Sequence, residues 1–128
     1  MDEEPTVEQH LDGKSPEVVA LYDRFIELAE ECGPFIYSVN RSAITIKGTR
    51  RGFAGVVPGK GHLRGFLDLP RAIGSDPRIR RSAPYESRLF VNYFRVTSLD
   101  ELDETFAQWL AEAYEVGRGA HLAGPRQR

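Results

Sequence analysis

One cysteine in 128 residues excludes a disulfide-stapled scaffold, because a staple needs a pair. No apolar run approaches the ~18 residues of a membrane-spanning helix, so no membrane partner is expected. Residues 1–14 also lack the apolar stretch of a secretory signal. With a single unpaired thiol, this makes a cytoplasmic location the expectation. Histidine is scarce as well: His10, His62 and His121 lie far apart, and no CxxC, HxxxH or HxH spacing occurs. Neither a metal nor any other cofactor is therefore expected. The 12 glycines show no period, which excludes a collagen-like repeat. The glycine-rich run from Gly55 to Gly61 lacks the Lys-Ser/Thr ending of a phosphate loop and precedes a strand pattern rather than a helix.

What is present is ordinary for one compact domain: 41% hydrophobic and 28% charged residues, with a net charge of −2. A chain of this length buries roughly two thirds of its unfolded surface. Residues 1–14 read as a mobile acidic leader, 15–118 as one domain and 119–128 as a frayed tail. Ser15 offers an N-cap and Pro16 a first helical position. Val18, Leu21, Tyr22, Phe25, Leu28, Ala29 and Cys32 then trace one helical stripe that ends at Gly33-Pro34. On that stripe Cys32 reads as an inert packing residue.

From Phe35 the period falls to two. Strands are predicted at 35–39, 43–47, 53–57, 62–69 and 88–96, with 70–85 as a long loop. Ser98 and Glu101 have the spacing of a capping box. Behind it, Leu99, Leu102, Phe106, Trp109, Leu110, Ala113 and Tyr114 form a second helical stripe. The fold class is α+β: a two-layer, five-stranded, mainly antiparallel sheet flanked by an N-terminal and a C-terminal helix.

The small net charge conceals segregation. Residues 1–40 carry 2 basic and 10 acidic side chains, and residues 41–95 carry 12 basic and 3 acidic ones. The helical ends are thus acidic and the sheet basic, a polarity that favours an anionic partner on the sheet side. Strand alternation puts Leu63, Gly65, Leu67 and Leu69 on one face with Asn92, Phe94 and Val96. Arg64, Phe66 and Asp68 fall on the other, with Leu89, Val91, Tyr93 and Arg95. The outward set of Lys47, Arg64, Phe66, Tyr93 and Arg95 interleaves cations with aromatic rings, a pattern that stacks flat ligands while meeting phosphate. His62 borders this set, and Arg78, Arg80 and Arg81 are candidates from the loop.

These residues point to a non-catalytic domain that binds an unidentified anionic ligand or protein partner. Two alternatives stay open: a homodimer burying the same sheet face, and a small enzyme or small-molecule-binding protein with a pocket near His62. Nucleic acid is not the favoured partner, because a sequence pI near 5.9 is far from the basic values usual for duplex binders. No catalytic set is assembled, and an enzyme is not the expectation.

Three segments carry a resemblance: Ser15 to Phe25 (SPEVVALYDRF), Arg51 to Val56 (RGFAGV) and Ser98 to Asp103 (SLDELD). Over roughly residues 14–118 the chain resembles a small bacterial family of domains of unknown function. Some members of that family are labelled predicted transport proteins, and some are appended to nuclease-like domains. The resemblance implies an accessory or stand-alone binding domain, with no catalytic residues to carry over.

Overall fold

The computed structural model describes residues 4–86 and 88–122. Its elements are α1 (Val7–Leu11), α2 (Pro16–Cys32), β1 (Ile36–Val39), β2 (Ile44–Lys47), β3 (Gly52–Pro58), β4 (Leu63–Leu69), β5 (Ile79–Pro84), β6 (Phe90–Val96) and α3 (Glu104–Gly117). The strands form one six-stranded antiparallel sheet in the order β1-β2-β3-β4-β6-β5. The α+β class and the antiparallel sheet agree with the sequence reading, but the strand number does not.

The sixth strand is β5, inside the segment expected as a loop. It lacks alternation, carries Arg80 and Arg81, and ends in Pro84, features that suit an edge strand. What fixes the segment leading to it is a buried amide. Asn92 on β6 is fully buried. Its Oδ1 accepts from the Ile73 amide at 3.0 Å and from the Ser82 hydroxyl, and its Nδ2 donates to the Arg71 carbonyl at 3.1 Å. One side chain thereby satisfies groups on both sides of the apparent loop.

Helix α2 begins where expected, with the Ser15 hydroxyl accepting from the Val18 amide. Val18, Leu21, Phe25, Leu28 and Ala29 are buried, and the helix ends at Gly33, whose φ of 139° favours glycine. A Cβ at Gly33 would lie 2.6 Å from the Tyr114 hydroxyl, which donates to the Pro34 carbonyl and ties α3 to the end of α2. Cys32 is half-buried rather than buried, and its thiol donates to the Leu28 carbonyl. Burial pushes that thiol's pKa up, away from nucleophilic chemistry.

Helix α3 starts later than the Ser98 spacing predicts. The Glu101 carboxylate accepts from the Thr97 and Ser98 amides, but residues 99–101 form a single 3₁₀ turn. Asp103 then caps α3 through the Phe106 amide at 3.0 Å. Leu99, counted in the apolar stripe from sequence, is 52% exposed as a result. Leu89, expected on the outer face, is instead buried, because it precedes β6 and escapes that strand's alternation. Within the segment expected as a leader, Thr6 and Gln9 form a reciprocal cap on α1, and Val7 and Leu11 pack on the core. Within the segment expected as a frayed tail, Ala120–Leu122 make a 3₁₀ turn.

Both long helices pack on the central strands β3 and β4. The core between them joins Phe25, Phe94 and Phe106 with Ile44, Ile46, Val56, Leu67 and Leu110.

Arg78 braces one end of this core. It forks onto Asp76, reaches Asp103 Oδ1 at 2.8 Å and the Glu101 carbonyl at 2.7 Å, and stacks over Trp109 at 4.6 Å. Both aspartate pKa values lie below the usual carboxylate range, Asp76 through Arg78 and Asp103 through the Phe106 amide first and then Arg78. Arg78→Ala is expected to lower unfolding free energy by about 2–3 kcal/mol in urea titrations. Lysine should not restore it, since an ammonium cannot make the fork. Because the two carboxylate pKa values are depressed, this stabilisation is present at neutral pH and fades as pH falls below about 4.

Candidate ligand-binding face

The sheet face opposite α2 and α3 is built by the alternation of β3, β4 and β6. The register pairs Val57 with Arg64, Arg64 with Arg95, Gly55 with Phe66 and Phe66 with Tyr93. Phe66 lies against the Gly55 backbone, where a Cβ would come within 2.6 Å of its ring. Glycine at 55 thus lets an aromatic ring lie low on the sheet and leaves a groove beside it. The groove has a volume of about 280 Å³, with walls from Val57, Arg64, Phe66, Arg80, Tyr93 and Arg95.

Arg80 and Arg81 reach this face together because of a bulge. Ile79 pairs with Phe94 and Arg81 with Tyr93, so Arg80 is the extra residue and the alternation slips by one. Ile79 stays in the core, while Arg81 sits over the Tyr93 ring at 5.1 Å. Among the described residues, Arg64, Arg80 and Arg95 are exposed and have no ion-pair partner. Arg64 and Arg95 oppose each other across neighbouring strands, a like-charge pairing that costs stability when nothing neutralises it.

Of the residues singled out from sequence, Arg64, Phe66, Tyr93 and Arg95 are brought together in this groove, with Arg80 from the former loop. Lys47 is exposed at the end of β2 and lies outside the groove walls. Arg78 is committed to its aspartates. His62 is not part of the groove: its ring packs on Gly59, and Nδ1 meets the Lys60 carbonyl of its own turn at 3.1 Å.

A second depression of about 430 Å³ adjoins the groove, with Phe66 bordering both. Its other walls are Thr45, Arg51, Gly52, Asp68, Tyr85 and Glu86. Arg51 bonds Asp68 Oδ2 at 3.0 Å, Glu86 at 3.1 Å and the Gly52 carbonyl at 3.0 Å, and lies 5.5 Å from the centre of the Tyr85 ring. Asp68 is buried, and among the described residues its Oδ1 has no hydrogen-bond partner. Burial pushes its pKa up to about 6, against the opposing pull of Arg51. His121 has a buried Nδ1 that is unpartnered among the described residues, and burial, then the Arg51 charge, lowers its pKa.

From sequence, Asp68 falls on this face without a role, and Arg51 stands out only in the resemblance segment, not as a site residue. The only signal was that Asp68 is one of 3 acidic residues among 12 basic ones in residues 41–95.

The raised pKa has a thermodynamic consequence. Between about pH 4 and 6 the folded chain binds a proton that the unfolded chain has released, so this carboxyl lowers stability as pH rises through that window. Asp68→Asn is therefore expected to stabilise the fold at pH 7 by about 1–3 kcal/mol, since one pKa unit corresponds to about 1.4 kcal/mol. In chemical denaturation the gain should shrink towards zero at pH 4. A variant less stable than the parent at both pH values would contradict this.

Fold and face together define a two-layer α+β domain with an open, arginine-rich sheet surface. Residues 7–117 match the family described as a domain of unknown function (DUF5655), and the chain belongs to that family. No curated protein and no solved structure matches it. Among the described residues no helix is long and apolar enough to cross a membrane, and no group of three or more His, Cys, Asp and Glu side chains is placed to hold a metal ion.

Proposed function

We propose that the open sheet face is a non-catalytic binding surface for an anionic ligand that carries a flat, apolar portion. The observation behind this reading is the cross-strand pair Arg64 and Arg95, unneutralised and set beside the rings of Phe66 and Tyr93. An anion between the two guanidiniums turns an unfavourable pairing into two charge-assisted hydrogen bonds. Arg80 supplies a third cation from the edge strand, and the apolar floor accepts a ring. A second copy of the chain is a poorer occupant, because it would bring the same uncompensated arginines against these.

No step of chemistry is assigned, since no nucleophile or general base lines the groove. The domain would act by holding its ligand, alone or appended to a catalytic partner. Calorimetric titration with inorganic pyrophosphate and ribose 5-phosphate at low ionic strength tests the reading. Binding should occur and weaken steadily as salt is added. No heat and no shift in melting temperature with either compound would overturn it.

A further inference from the structure

Asp68 is an acidic residue set deep in a basic face, and half of its carboxylate is unused. Arg51 holds Oδ2, and its other two nitrogens meet Glu86 and the Gly52 carbonyl. Oδ1 is shut off from solvent and has no partner among the described residues. A buried acceptor left unpaired is costly unless a donor arrives. Among the described residues, none of the polar groups lining this depression (Arg51, Thr45 and Tyr85) donates to Oδ1.

The depression also borders the groove. Phe66 walls both, and Asp68, Phe66 and Arg64 alternate along one face of β4. Asp68 and Arg64 are four residues apart, a span of ~13 Å along an extended strand. A ligand with a donor edge at one end, a flat ring in the middle and an anion at the other would meet Asp68, Phe66 and the arginines in order. Two adjoining depressions of about 430 and 280 Å³ suit one small molecule.

We propose that Asp68 is the base-recognising residue of a nucleoside monophosphate site, accepting from the N–H edge of a guanine-type ring while Arg64, Arg80 and Arg95 hold the phosphate. This rests on the anion-binding reading above. Guanine is the favoured ring because it offers adjacent N–H donors to one carboxylate. The ring enters between Phe66 and Tyr85. Tyr85 and Glu86, which share the walls of this depression, are both more than half exposed, at 56% and 51%.

The test compares guanosine 5′-monophosphate, purine riboside 5′-monophosphate (the same ring system without base N–H donors) and ribose 5-phosphate, on the parent chain and on Asp68→Asn. In the variant the Asn oxygen stays on Arg51, which turns the amide donors towards the incoming N–H edge. The parent chain should bind the guanine nucleotide about tenfold or more tightly than the purine nucleotide, because a site built to accept a hydrogen bond rejects an analogue lacking the donor. Asp68→Asn should erase that difference and leave ribose 5-phosphate binding intact. Equal affinities on the parent, or an unchanged ratio in the variant, overturn the inference while ribose 5-phosphate still binds. If ribose 5-phosphate and pyrophosphate both fail to bind, the anion-binding reading itself has failed.

Discussion

Asn92→Ala should be the most destabilising polar substitution in this chain, lowering unfolding free energy by about 4 kcal/mol. The residue is fully buried, and its amide meets Ile73, Ser82 and Arg71. Truncation strands the buried Ile73 N–H, at about 1–3 kcal/mol, removes the partner of the part-buried Arg71 C=O and Ser82 hydroxyl, and adds a small cavity. Asn92→Leu, which keeps the volume, should rescue little, because the stranded groups remain. The loss should also be uneven. β5 and residues 70–78 are held by this amide, so their amides should exchange with solvent long before those of β3 and β4. Denaturant titration with hydrogen exchange checks both points; a loss below about 1 kcal/mol would show that the segment is anchored elsewhere.

The second large effect is on binding. Replacing both Arg64 and Arg95 with alanine should weaken pyrophosphate binding about 30-fold or more, on the scale of two charge-assisted hydrogen bonds lost. The same double variant should fold at least as stably as the parent, because it removes a like-charge cross-strand pair. Lost affinity with retained or increased stability is the signature of a surface kept for binding rather than for folding. Arg80→Ala should weaken binding less, since one edge-strand cation remains over Tyr93 in Arg81. Calorimetry and thermal melts on the same samples measure both quantities.

How much of this was legible in the sequence follows from which interactions are local. The alternation Leu63, Gly65, Leu67, Leu69 fixed one face of β4, and with it the outward set of Arg64 and Phe66. The same two-residue period on β6 brought Tyr93 and Arg95 beside them. β5 was hidden because an edge strand needs no alternation, and because its anchor, Asn92, lies 10 residues beyond Ser82. Arg78, Arg80 and Arg81 looked alike in one arginine-rich run, yet a single bulge separates their fates. Arg78 is an internal strut, Arg80 and Arg81 face outward, and nothing in the chain's own letters marks the slip.

The start of α3 differs from the Ser98 reading because the Asp103 carboxylate, which also holds Arg78, caps the Phe106 amide. Arg51 and Asp68 are separated by 17 positions and meet only through the pairing of β3 with β4, so their pairing belongs to the tertiary level. The charge segregation, by contrast, could be counted directly from the chain.

The account's central claim is that the anion sits between Arg64 and Arg95. An amide chemical-shift titration with inorganic pyrophosphate at low ionic strength tests it residue by residue. The shifts should concentrate on Val57, Arg64, Gly65, Arg80, Tyr93 and Arg95, and leave α2 and α3 unmoved. Shifts confined to the Pro58–His62 turn or to a helix face, or no shifts at all, would contradict it.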